Sequence, residues 1–235
     1  MSSTTFWRVV VIAVISALTV YRLRRDPIAP RELIRRLPRC LVGLSFFGIG
    51  IAFFFAARLG TGPWDVLHAG LAKRLNLPVG VVINLVGLAI LPLWLPLKEP
   101  IGLGTALNTL EIGFVVDLVR PHLPMPTAMG VRVTFAITGV VVIALGSGLY
   151  LGSGLGSGPR DGLMMGLNRL GLSIRSARTV VEIVTLGVGF ALGGKLGAGT
   201  VIFLVGIGPL VQLFLPRLRL PPLISRRVAA PVPGG

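Results

Sequence analysis

Two aspartates, Asp65 and Asp161, occupy the same place in two copies of one pattern. The first copy is Gly60-Thr61-Gly62-Pro63-Trp64-Asp65-Val66-Leu67, and Gly156-Ser157-Gly158-Pro159-Arg160-Asp161-Gly162-Leu163 follows 96 residues on. The chain has only eight acidic residues, and Glu111, Asp117 and Glu182 also fall in apolar surroundings. An ionised group at membrane depth is costly unless paired, hydrated or neutralised, so each acid is a candidate for binding or proton handling. For Asp65 and Asp161 two readings coexist. Each carboxylate can stabilise the amino end of a short helix through its dipole and free amides. Two such half-helices can also bring their amino ends near the bilayer midplane and hold a polar ligand there.

The other polar candidates are less symmetric. Glu182 lies in Val180-Val181-Glu182-Ile183-Val184, opposite Asn84 of the first copy. It is either a substrate or proton site or the partner of Arg178 or Arg175. Asn108 and Glu111 share a helix face and have apolar or glycine counterparts in Phe203 and Gly206. A site on a symmetric scaffold carries that asymmetry, as does an interhelical hydrogen bond. Asp117, with Arg120 one turn on, reads as an interfacial ion pair. His68, opposite Met164, reads as a polar packing residue, and His122 lies in a Pro-rich loop. With two histidines and one cysteine, Cys40, there are no parts for a zinc site, a Cys–His nucleophile or a disulfide. The expectation is a non-enzyme with no metal or cofactor.

These residues need positioning elements, and composition says which. At 53% apolar and 13% charged residues, with mean hydropathy +0.87, the chain is an α-helical integral membrane protein. Apolar spans are expected at about 6–21, 40–58, 79–97, 102–120, 131–152, 177–194 and 198–215. The first stands alone, and the others form two sets of three. Each set runs through a Gly-rich helix, the G-x-G-P-x-D segment and two further helices. A second echo, Gly102-Leu103-Gly104-Thr105 against Gly197-Ala198-Gly199-Thr200, follows each apolar stretch. Gly43, Gly50 and Gly60 fall opposite Gly139, Gly146 and Gly156, small-residue spacing that lets membrane helices approach closely.

The segment 62–74 reads as a short helix, with Pro63 at its first position, Asp65 in its first turn and Lys73 and Arg74 at its end. Eleven to thirteen residues span about 16–20 Å, too little to cross. A re-entrant segment leaves three spans per repeat and makes the copies inverted; a crossing one would make them parallel. Helix length favours inversion. The expected architecture is about seven transmembrane helices in two three-helix repeats, each with a broken or re-entrant helix. The expected divisions are a helix over 1–22, an Arg-rich cytoplasmic linker over 23–39, repeats over 40–121 and 129–216, and a basic disordered tail over 217–235.

The net charge of +15 does not point to nucleic acid. Arg22, Arg24, Arg25, Arg31, Arg35, Arg36 and Arg39 lie between apolar segments, and Arg217, Arg219, Arg226 and Arg227 follow the last. That is the pattern of positive-inside loops facing an anionic leaflet. It places the carboxy terminus in the cytoplasm and the amino end of the first helix outside.

The run Leu59 to Leu67 with Gly70-Leu71, its second copy, Arg178-x-x-x-Glu182, Leu192-Gly-Gly194, Gly197-x-Gly-Thr200 and Ile207-Gly-Pro209 resembles the YczE-like branch of the YczE/YyaS/YitT family of bacterial integral membrane proteins. The resemblance covers about residues 40–216 and implies a multi-pass protein of the bacterial plasma membrane. It supplies no catalytic residue. The leading expectation is a small-molecule transporter or exporter with Asp65, Asp161, Glu111 and Glu182 near its pathway, suited to a cationic or proton-coupled substrate. The alternative is a non-transporting membrane subunit that docks a membrane or cytoplasmic protein partner through the linker and tail.

Overall fold

The computed structural model describes residues 3–25 and 28–223. Arg226, Arg227 and the tail from 224 onward lie outside the described residues. The described elements are α1 Ser3–Arg25, α2 Pro30–Ala57, α3 Pro63–Leu75, α4 Val79–Ile90, α5 Trp94–Leu97, α6 Leu103–Val119, α7 Met129–Gly152, α8 Pro159–Arg169, α9 Ile174–Ala191 and α10 Ala198–Leu218. Three-residue 3-10 turns continue α4 into α5 and follow α6. Among the described residues there is no strand. Four helices are long and apolar enough to cross a membrane: Pro30–Ala57, Val79–Leu97, Met129–Gly152 and Ala198–Leu218. The spans expected at 6–21, 102–120 and 177–194 are also helical. Among them α6 is 17 residues long, α9 opens with Arg175, Arg178 and Glu182, and the apolar part of α1 is Thr4–Ala17.

The first helices of the two repeats, α2 and α7, form the centre of the bundle and run antiparallel. Gly43 faces Gly146, while Gly50, further along α2, faces Gly139, earlier on α7. A Cβ on Gly50 would lie 2.7 Å from the Gly139 carbonyl oxygen, so the backbones themselves are in contact. Equivalent helices pointing in opposite directions make the repeats inverted.

The two ends of this pair are clamped in the same way. Arg36 on α2 donates to the Ser153 carbonyl at the end of α7 (2.7 Å), and Arg132 on α7 donates to the Ala57 carbonyl at the end of α2 (2.9 Å). Helix carboxy termini leave carbonyls without intrahelical partners, and a guanidinium satisfies them. Arg36 also binds Glu32 and the Pro221 carbonyl and is 2% exposed. The segment expected as a cytoplasmic linker is therefore helical from Pro30, with Pro30 at the first helical position and Glu32 in the first turn. Arg36 and Arg132, 96 residues apart, hold equivalent places on α2 and α7.

α1 does not stand apart. It packs on α4 and α6 through buried Val11 and Ile15. Its Arg8 reaches Asp117 at 2.9 Å.

The half-helices α3 and α8, of 13 and 11 residues, span only about 20 and 16 Å. Each follows a glycine in extended conformation, has proline at its first position and ends in basic residues. α3 leads into the start of α4, where Asp117 binds the Gly80 amide (2.8 Å). By the inversion, α8 returns to the opposite end of the bundle.

Candidate functional site

The duplicated motifs meet by exchange between the halves. The Gly199 amide at the start of α10 donates to the Leu59 carbonyl, and the Gly104 amide at the start of α6 donates to the Leu155 carbonyl, both at 2.8 Å. The loop before each half-helix therefore rests on the last helix of the other repeat. Gly60 and Gly156 adopt positive φ (93° and 133°), a region open to glycine, and backbone approaches each so closely that a Cβ would collide. Thr105 and Thr200 serve as helix caps, accepting from the Gly102 and Gly197 amides at 3.1 and 3.3 Å. Gly158 lies against Asn108, and Gly62 against Phe203. The G-x-G-P and G-x-G-T echoes are thus two sides of one repeated contact.

This exchange aims the amino ends of α3 and α8 at a cavity of about 30 Å³, above the roughly 10–15 Å³ that one water needs. Trp64 and His68 of α3 line it, with Pro159 and Arg160 of α8. Asn108, Thr109 and Ile112 of α6 and an apolar strip of α4 including Gly87 complete the wall. Trp64, His68 and Asn108 are 6%, 4% and 7% exposed. Asp65 lies behind the wall, its Oδ1 3.3 Å from His68 Nδ1. The buried Trp64 Nε1 has no hydrogen-bond partner. Among the described residues neither the Asn108 amide nor the Arg160 guanidinium has a hydrogen-bond or carboxylate partner. The Arg160 guanidinium lies 4.8 Å over the Phe47 ring, a cation–π contact.

α8 is fixed from the other repeat. Trp94 Nε1 donates to the Pro159 carbonyl at 3.1 Å, and the indole packs on Gly162. At the far end Arg169 donates to the Lys98 carbonyl and lies 3.1 Å from Glu99. Burial pushes the Glu99 carboxyl up against the opposing pull of Arg169.

The remaining sequence candidates are dispersed around this centre. Asp161 accepts a hydrogen bond from the Tyr150 hydroxyl. Glu111 accepts from Ser45 (2.8 Å), tying α6 to α2. Glu182 pairs with Arg178 at 2.8 Å. Asn84 packs on Gly113, its buried Oδ1 unpartnered. Asp117 does not pair with Arg120: it takes Arg8 and the Gly80 amide, while Arg120 stacks over Phe55. Among the described residues no three His, Cys, Asp or Glu side chains converge as a metal site would need. Reading by residue type missed Trp64, Arg160 and Thr109. The signal was present, because Trp64 and Arg160 are each other's counterparts immediately before the paired aspartates.

A family model described as DUF6198, a family of unknown function, matches residues 34–216. The chain is 42% identical over 176 residues to an uncharacterized protein of Haemophilus influenzae, covering 74% of this chain and 81% of that protein. It is 34% identical over 138 residues to the uncharacterized membrane protein YczE of Bacillus subtilis, covering 57% and 64%. The uncharacterized protein YyaS of the same organism is 32% identical over 131 residues, covering 53% and 64%. No solved structure matches. The chain belongs to the DUF6198 family and is a YczE-like membrane protein.

Proposed function

We propose that this DUF6198 member is a small-molecule transporter of the bacterial plasma membrane, working by alternating access around the cavity between α3 and α8. One observation carries the reading. Inverted repeats exchange their motif loops, so two half-helices entering from opposite ends point their amino termini at one cavity of mixed polar and apolar lining. Inverted repeats with discontinuous helices at the midplane suit rocking of one half against the other about a fixed site. The exposed arginines of the 23–39 segment, with Arg217 and Arg219 at the same end of the bundle, favour a cytoplasmic placement of that end and of the carboxy terminus.

Of the cationic and proton-coupled alternatives, only proton coupling draws support, chiefly from Asp65 behind His68, because among the described residues no carboxylate lines the cavity. Asp161, Glu111 and Glu182 each engage a neighbouring side chain, and none lines the cavity. Asp65 at Nδ1 of His68 leaves Nε2 as the ring's other proton-carrying position.

The test is a cysteine at Thr109, a cavity-lining residue 2% exposed, in a Cys40→Ser background. A membrane-impermeant thiol reagent applied to right-side-out and to inverted vesicles is expected to label it from either face. Labelling from one face alone overturns alternating access. The accessory-subunit reading rests on exposed Arg24, Arg31 and Arg35, since Arg36 and Arg39 are engaged within the fold. It predicts one stoichiometric co-purifying partner, lost when those three charges are reversed.

A further inference from the structure

We infer that the cavity between α3 and α8 binds a small anionic group, a carboxylate in the first instance, through Trp64, Asn108 and Arg160. This rests on the transporter reading for its location and goes beyond it in naming the chemistry of the cargo.

Donors and acceptors around the cavity do not balance. Three side chains that line the cavity carry N–H groups without a hydrogen-bond acceptor among the described residues: the buried Trp64 indole, the Asn108 amide and the half-buried Arg160 guanidinium, whose face rests on Phe47. The indole and the guanidinium can only donate. The buried Trp64 N–H is costly without an acceptor, and with the Asn108 and Arg160 donors beside it this wall is complementary to a ligand rich in acceptors. The nearby carboxylates do not fill that role, because Asp65 is turned to His68 and Asp161 to Tyr150. The helix ends add to the same preference. In α3 and α8 the first intrahelical bonds run from Val66 to Gly62 and from Gly162 to Gly158. The amides of Trp64 and Asp65, and of Arg160 and Asp161, precede those bonds and stand at positive dipole ends. A planar carboxylate presents two oxygens and pairs with guanidinium in two parallel hydrogen bonds. The α4 residues that line the cavity, Ile83, Val86, Gly87 and Ile90, are apolar and offer a cation no side-chain ligand. At about 30 Å³ the cavity takes a group of a few heavy atoms.

The test uses the purified full chain in phosphatidylcholine nanodiscs and sodium HEPES buffer, reading tryptophan emission during titration with sodium formate or sodium acetate. The control cation is choline–HEPES. Formate and acetate are expected to change emission saturably, and the change is expected to vanish in Trp64→Phe. Arg160→Gln is expected to raise the half-saturating concentration at least about tenfold. Arg160→Lys should fall between it and wild type, and surface Lys195→Gln should match wild type. No saturable response to either anion, an undiminished response in Arg160→Gln, or a response to choline alone overturns the inference and leaves labelling at Thr109→Cys to judge transport separately. Loss of the response in phosphatidylglycerol nanodiscs would assign the site to lipid headgroups and overturn a solute site. Anion binding together with one-sided Thr109→Cys labelling would retain the anion site and remove alternating access.

Discussion

The amino ends of α3 and α8 share a backbone and differ in their side chains. Both begin with glycine, proline and an aspartate in the first turn, and both sit on a loop seated against the other repeat. Yet α3 carries Trp64 and His68 where α8 carries Arg160 and Met164. The polar wall they face is equally one-sided: Asn108 on α6 corresponds to Phe203 on α10. What duplicated is the scaffold, and what diverged is the lining of the cavity. Backbone approach at glycine demands the same residue in both halves, whereas a ligand sees the whole lining at once and needs no symmetry.

The scaffold side of that comparison is open to the largest effect. Gly50→Leu and Gly139→Leu each place a side chain into the opposing backbone, and both are expected to abolish a folded, monodisperse protein on size-exclusion chromatography. Gly187→Ala, whose added Cβ meets nothing within 4 Å, should elute as wild type. If Gly50→Leu were tolerated while Gly139→Leu was not, the two faces would not be equivalent.

The arginine clamps are the next test, because they are symmetric in position and unequal in burial. Arg36 is 2% exposed and satisfies two carbonyls and Glu32. Arg132 is half-buried and satisfies the Ala57 and Arg58 carbonyls. Arg36→Ala is expected to cost about 3 kcal/mol and Arg132→Ala about 1–2 kcal/mol in detergent-unfolding titrations. Equal losses would show that burial does not separate the clamps.

The smallest effect concerns the anchor of α8. A carboxyl whose folded pKa lies above its ordinary 4.5 favours the neutral form in the fold. Its stabilising contribution is therefore full below pH 4.5 and lost as pH rises through the folded value. Glu99→Gln keeps the neutral form at every pH. It should raise the melting temperature slightly at pH 7 and leave it unchanged at pH 4. A lower melting temperature at pH 7 would mean that the Arg169 pair outweighs burial.

Much of the scaffold was legible in the sequence because close backbone contact leaves a spaced glycine signature. The G-x-G-P-x-D and G-x-G-T echoes marked both partners of the exchanged contact, although their pairing across repeats needed the fold. Arg36 was not legible as a buried residue: among neighbouring arginines it reads as loop charge, and only its offset to Arg132 distinguishes it. Asp117 shows how local spacing misleads, since Arg8 and the Gly80 amide, distant in sequence, prevail over Arg120 one turn away. Of the expected site residues, His68 and Asn108 line the cavity and Asp65 stands behind it. Arg160 and Trp64 are not legible from acid content, because both are donors.

Alternating access around this cavity requires the two half-helices to enter from opposite ends. Single cysteines at Leu75 and Leu170, exposed by 53% and 66% at the carboxy ends of α3 and α8, test it in a Cys40→Ser background. An impermeant thiol reagent on sealed vesicles should label the two positions from opposite faces of the membrane. Labelling of both from the same face would contradict the inverted arrangement and, with it, alternating access around this cavity.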